Sequence, residues 1–364
     1  MYAIVGGGLA GFTTYATLRH AGIEAGEIAV FDNDPDPVAC WRPRVAAIRQ
    51  TEMRSESDGH CSARSFPGLA VREARRRRTV GPLLRSVCDR YRPSVAEFLD
   101  HVEELRARTS WDASFQPFEI SRVAAVPGGF ELDGRGVFQH VVLATGHPGL
   151  ALPHGVLGDR RAVHAYEPHD YTGSVAIVGA GMAAATEWRN ALASGANVVS
   201  IRRREPLRRP LNVERQFFAK RGLRMFHGAE PNWRAELLTS FSAPSYPPGR
   251  AWDEPIERAT AEGRFRVASD WRETEQVICA TGFKRGYRED QLLRRLVDDH
   301  GLDTVERWVV LEPDAGVGRL CDASRTLAIA GVAAQWAYPA ADTLAGMKYV
   351  ARRFLARSRR CRTR

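Results

Sequence analysis

Cysteine pairs are missing from this chain. Its six cysteines stand at 40, 61, 88, 279, 321 and 361 with no C-x-x-C among them, which argues against a zinc ribbon or a dithiol redox pair and fits a reducing compartment. Long apolar runs are missing too. The uncharged stretches Ser174–Thr186 and Thr326–Ala341 are too short and too rich in Gly and Ala to span a bilayer, so no membrane partner is expected. Met1-Tyr2-Ala3-Ile4-Val5 runs straight into glycines with no basic start or cleavage site, so no secretory leader is expected and a cytoplasmic location is. Lysine is nearly absent: only Lys220, Lys284 and Lys348 stand among the 52 basic residues, and the net charge is +9. The runs Arg75–Arg78 and Arg352–Arg364 read either as anion-attracting patches or as a solvated basic face. No RNA- or DNA-binding motif accompanies them, so no nucleic acid partner is expected.

What is present describes an ordinary globular chain. Its 364 residues are 44% apolar, 26% charged and 9% aromatic, enough for two or three domains with cores. Tyr2–Val5 reads as a strand, Gly6 to Gly11 as a glycine turn opening a helix, and Glu27–Phe31 as a second strand ending at Asp32. Ser94 to Arg106 reads as an amphipathic helix with a Ser94/Glu97 capping box. Phe118–Ile120 and Phe130–Leu132 flank Pro127-Gly128-Gly129 and predict a hairpin. The opening theme then returns as Val175–Val178, Gly179 to Ala184, a helix, and the strand Asn197–Ile201.

Gly6-x-Gly8-x-x-Gly11 follows a strand and opens a helix, and Asp32 lies at the expected distance beyond it. Gly6 suits the tight turn, Gly8 the approach of a pyrophosphate, and Gly11 the packing of helix on strand, with Leu9 and Ala10 supplying helix N-terminal N–H groups. Asp32 suits the ribose hydroxyls of an adenosine. Gly179-x-Gly181-x-x-Ala184 is a second such turn, with Met182 and Ala183 inside it. Where an acid would follow its second strand, the chain has Arg202-Arg203-Arg204, and guanidinium groups at Arg202 and Arg204 favour the 2′-phosphate of NADP over NAD. Two dinucleotide sites in one chain imply that one redox cofactor feeds another.

These residues resemble the FAD- and NADPH-dependent flavoprotein monooxygenases with two dinucleotide-binding domains, which include flavin-containing monooxygenases and amine N-hydroxylases. Ala144-Thr145-Gly146 and Ala280-Thr281-Gly282-Phe283 are similar to the family's paired hinges, and His164-Ala165-Tyr166 to a stretch found before its second turn. Cys40-Trp41-Arg42 resembles the family's G-G-x-W region, Gln50 a glutamine reaching the flavin edge, and Ala341-Asp342-Thr343-Leu344 its S-D-T-L-L segment. Gly331, at the end of the last apolar strand, joins the same cofactor set. The resemblance implies an α/β fold of two Rossmann-like domains, with an NADPH domain at 151–282 inserted into a discontinuous FAD domain at 1–150 and 283–364. It also implies hydride transfer from NADPH to FAD, reaction of the flavin with O2 to give a C4a-peroxyflavin, and oxygenation of a small amine or sulfur nucleophile. Gln50 and His164 are the expected reaction-cleft residues, and no metal is expected.

Other readings remain open. An NADPH-dependent flavin reductase passing electrons to a small acceptor or protein fits the same cofactors, and so does a non-catalytic flavin-binding protein. A homo-oligomer is compatible with either. His60, His147 and His169 read as packing or capping residues, and Cys61 has no sign of an activating environment.

Overall fold

The computed structural model describes residues 1–53, 68–87, 91–209 and 211–362; His60 and Cys61 lie outside them. The chain opens with β1 (Tyr2–Val5), α1 (Leu9–His20) and β2 (Ile28–Asp32), the strand–turn–helix–strand order read from the sequence. Next come α2 (Trp41–Ala47), α3 (Gly68–Arg77), α4 (Val95–Thr109), β3 (Phe115–Pro117) and β4 (His140–Leu143). A second unit of the same kind follows: β5 (Ala162–His164), β6 (Ser174–Val178), α5 (Met182–Ala193) and β7 (Asn197–Ile201). After it run α6 (Lys220–Gly228), α7 (Pro231–Phe241), α8 (Arg250–Ala261), β8 (Phe265–Ala268) and β9 (Gln276–Cys279). The chain then closes with α9 (Gln291–His300), β10 (Thr326–Ile329) and α10 (Leu344–Arg362).

The strands form two five-stranded parallel sheets, β10-β4-β1-β2-β3 and β8-β7-β6-β9-β5. Their central strands β1 and β6 each feed a glycine turn, so the duplication in the sequence is a duplication of architecture. Parallel strands carry helices on both faces, which is why β1, β4 and β10 are buried along their whole length and, His140 and Thr326 apart, built of Ala, Val, Ile, Leu and Tyr. The last helix, α10, returns to pack along α1, so the two ends of the chain close one unit.

Two local expectations change. The hairpin pairs Val123–Val126 with Gly129–Leu132, while Phe118–Ile120 is irregular and Phe115–Pro117 forms the edge strand β3 instead. Gly128, with φ +81°, lets the chain reverse directly after Pro127. The capping box at α4 is half used: Ser94 accepts from the Glu97 N–H at 3.1 Å. The buried Glu97 carboxylate meets Arg72 at 2.7 Å and Arg76 at 2.5 Å, and Arg77 pairs with Glu73 at 3.1 Å. Part of the arginine run is thus spent on intramolecular ion pairs.

Helices α6 and α7 lie in sequence between strands of the second sheet, yet their apolar residues Leu223, Phe226, Leu238 and Phe241, with Phe217 just before them, join the core of the first. His227 Nε2 lies 2.7 Å from the Ala337 carbonyl, and Arg234 stacks on Trp336 and donates to its carbonyl at 2.5 Å.

Candidate functional site

The first glycine turn is dictated by contact. Gly6 has φ +101°, and a Cβ there would stand 2.3 Å from the Ala144 carbonyl oxygen; one at Gly11 would stand 1.9 Å from the Gly6 oxygen. Gly8 is different. It caps α1 without a side-chain bond, is exposed, and an added Cβ would meet nothing within 4 Å. Gly8 thus leaves room beside the first turn of α1, where Leu9 and Ala10 carry the N–H groups of a helix N-terminus, the setting that attracts a phosphate. Gly331 arrives from β10 opposite them, and a Cβ added to it would lie 3.3 Å from that of Ala10. Asp32, at the end of β2, accepts from the Gly7 N–H and from the Asn33 N–H at 2.6 Å.

The second turn repeats the arrangement. Gly179 has φ +135°, its Cβ would come 2.4 Å from the Ala280 oxygen, and Gly181 caps α5 with no side-chain bond and nothing within 4 Å. Ala184 is fully buried at the helix–strand contact. Just past β7, Arg202 lies over the Trp188 ring at 5.7 Å and pairs with Glu205 at 2.8 Å, while its buried Nε has no hydrogen-bond partner among the described residues. It shares an open pocket of about 430 Å³ with Trp188, Arg208 and Tyr246. Arg208 sits on the Tyr246 ring and pairs with Asp253. Arg204 is exposed and does not line that pocket.

The two hinge sequences are joined. Ala151 N–H donates to the Gly282 carbonyl at 3.0 Å, Lys284 N–H to Gly149 at 2.9 Å, and the Thr281 hydroxyl to Ala151. Segments 144–151 and 280–284 thus cross between the sheets as one hydrogen-bonded pair. Phe283 anchors an aromatic stack there, with His147 at 4.0 Å, Tyr166 at 5.1 Å and the Arg44 guanidinium at 5.0 Å. Burial, with the charges of Arg285 and Arg44, lowers the His147 pKa to about 4, so its ring is neutral. Its Nδ1 and the Thr145 hydroxyl are buried without hydrogen-bond partners among the described residues.

His164 is buried, and both its ring nitrogens go to backbone. Nδ1 accepts from the Tyr166 N–H at 3.1 Å and Nε2 lies 3.0 Å from the Gly282 carbonyl. Burial outweighs these bonds and lowers its pKa. Gln50 turns to the Glu52 carbonyl at 2.7 Å. Trp41 packs edge-on to Phe98 at 5.2 Å, and Arg42 spends its charge on Asp36 and Glu103 at 3.3 and 3.5 Å. Thr343 caps α10, accepting from the Gly346 N–H at 3.2 Å; Leu344 begins that helix, and Asp342 is exposed.

The loop carrying Gln50 is held by the second unit. Asn190 on α5 donates to the Ile48 carbonyl at 2.8 Å, and Arg49, at φ 50°, lies over Tyr171 and pairs with Asp170 at 2.9 Å. Beneath it, His169 and Tyr171 share the buried Glu187 carboxylate at 2.9 and 2.8 Å.

No family model and no curated protein matches this sequence. Solved structures do match it along its whole length. The ornithine N-hydroxylase of Kutzneria sp. 744, described with reduced FAD, NADP+ and L-ornithine, aligns over 100% of this chain and 99% of its own at 14% identity and TM-score 0.74. The FAD-bound cadaverine monooxygenase of Erwinia amylovora aligns over 100% and 94% at 12% identity and TM-score 0.73. The L-lysine 6-monooxygenase of Pseudomonas syringae aligns over 99% and 99% at 14% identity and TM-score 0.70. From β1 to α10, this chain has the fold of the amine-hydroxylating monooxygenases.

Proposed function

We propose that this protein is an FAD-dependent oxidoreductase that takes hydride from NADPH and, with O2, oxygenates a small amine or sulfur nucleophile. The observation that carries the reading is the pair of glycine turns, each backed by a hinge carbonyl, with the two hinges hydrogen-bonded to each other between the sheets. Residues 1–150 and 283–364 then make the FAD domain and 151–282 the NADPH domain, with α6 and α7 leaning back onto the first core.

Each cofactor has residues to hold it. Leu9 and Ala10 would offer N–H groups to the FAD pyrophosphate, and Asp32 would accept from the adenosine ribose. Met182 and Ala183 would do the same for NADPH, and Arg202 with Arg208 would hold the 2′-phosphate in the Trp188–Tyr246 pocket. The orphaned Arg202 Nε, Thr145 hydroxyl and His147 Nδ1 are polar atoms that such ligands would satisfy. When bound, the flavin accepts hydride and activates oxygen; the chain positions it and excludes water.

The remaining cleft residues act on geometry. His164, with both nitrogens on backbone, ties the second hinge to β5 rather than moving protons. The stack of His147, Phe283 and Tyr166 stiffens the crossing with a neutral imidazole. Asn190 and Arg49 fix the loop that carries Gln50. No helix among the described residues is long and apolar enough to cross a membrane, and the substrate we propose is a small molecule.

Turnover under 18O2 with NADPH tests this reading across diamines, basic amino acids, thiols and thioethers. A product gaining one labelled oxygen supports it. NADPH oxidation that yields peroxide alone with every candidate argues instead for a reductase.

A further inference from the structure

Beside the hinge crossing is a cavity that neither glycine turn reaches. It is a narrow cleft of about 30 Å³, partly open to solvent, between Gly146 of the first hinge, Lys284 and Arg285 after the second, Arg307 and Gln335. Its charge is lopsided: of the three cations that line it Lys284 pairs with Glu289 at 3.8 Å, and the one lining carboxylate, Asp290, caps α9 by accepting from the Leu293 N–H at 3.0 Å.

Elsewhere in this chain arginines commonly find carboxylates, as Arg72, Arg106, Arg202, Arg325 and Arg357 do. Arg285 and Arg307 do not. Arg285 donates to the Ser242 hydroxyl at 2.6 Å, and Arg307 lies over the Trp308 ring at 4.6 Å. Neither has a carboxylate within ion-pair distance among the described residues. Burial, and then the positive charge of Arg285, disfavours the charged form of Arg307. Like charges are thus held together on half-buried side chains, and the neighbouring Glu306 carboxylate offsets them only in part. Such an arrangement costs stability unless an anion completes it. The walls beside them, Trp308 and Leu293, are apolar.

We propose that Arg285 and Arg307 form an oxyanion-binding subsite, which takes the carboxylate or phosphate group of a small organic ligand. The proposal extends the oxygenase reading by giving the ligand at this cleft a negative group, but it does not depend on oxygen transfer. Guanidinium forks suit either oxyanion. A ligand bearing only ammonium groups meets the like charges of Arg285 and Arg307 here.

The test is calorimetric titration of the FAD-loaded protein with glutarate, with cadaverine as a five-carbon probe of opposite charge and with inorganic phosphate as a third ligand. Glutarate binding that cadaverine does not reproduce, weakened about 10- to 100-fold in Arg285→Gln and in Arg307→Gln, supports the subsite. Tighter binding of glutarate than of phosphate assigns it to a carboxylate, and the reverse to a phosphate ester. Flavin content and thermal melting of the variants show whether they remain folded; if one does not, the salt dependence of glutarate binding by the unmodified protein decides. Absent or salt-independent glutarate binding overturns the proposal. So does unchanged affinity in both variants, or a loss of NADPH affinity as large as the loss for glutarate. Because no turnover is required, an anion site persists or fails independently of the oxygenase reading.

Discussion

Replacing Glu187 with Gln changes one buried atom and removes one buried charge. The Glu187 side chain is 0% exposed and serves His169 at 2.9 Å and Tyr171 at 2.8 Å, with His169 itself 2% exposed. Burial alone would lower the His169 pKa, but the hydrogen bond and charge of Glu187, aided by the Glu167 carbonyl, raise it above its ordinary 6.5. A group raised on folding stabilises fully below its unfolded pKa, and that contribution disappears as pH climbs through the folded value. The native protein therefore loses stability above about pH 6.5, up to the folded pKa of His169. A hydrogen bond to a charged group contributes about 1.5–3 kcal/mol and a neutral one about 1, so Glu187→Gln costs about 1–2 kcal/mol at low pH. For a chain of this size that lowers Tm by about 1–3 °C. The assay is thermal unfolding of the FAD-loaded protein across a pH range of about 6 to 8.5, which brackets the histidine titration. The variant starts lower and its Tm falls less as pH rises. An equal fall in both proteins refutes the role given to this pair.

Three other substitutions separate the parts of the site. Gly179→Ala places a Cβ 2.4 Å from the Ala280 oxygen at φ +135°, so the purified protein keeps FAD while its NADPH affinity falls at least about tenfold. Arg202→Ala raises the KM for NADPH about 10- to 100-fold and barely changes that for NADH, as expected where a phosphate contact is lost. His164→Phe slows anaerobic reduction by NADPH but leaves the shape of its pH profile unchanged, because neither ring nitrogen is free for proton transfer; a lost pH limb contradicts this.

The duplicated strand–turn–helix units were legible because their requirements are local. Gly6, Gly11 and Gly179 lie where a side chain would strike backbone, and Asp32 and Arg202 each follow directly from a strand end. What was not legible depends on distant partners. Trp188, Arg208 and Tyr246 come together from separate elements, and nothing in their spacing marks a pocket. The return of α6 and α7 to the first core is set by packing on Trp336 and Ala337, residues remote in sequence. Arg42 fits a flavin-facing motif by position, yet Asp36 and Glu103 supply nearer carboxylates. For the same reason the paired hinges could be named from sequence, while the anion-seeking arginines beside them could not.

The most direct test of the central reading is rapid mixing of the anaerobic, NADPH-reduced protein with oxygenated buffer, followed by flavin absorbance. A monooxygenase shows a delay before oxidised-flavin absorbance returns, shortened by the amine or sulfur compound it oxygenates. Immediate return to oxidised flavin, indifferent to every such compound, contradicts oxygen transfer. Failure of the protein to bind or reduce flavin contradicts the cofactor assignment itself.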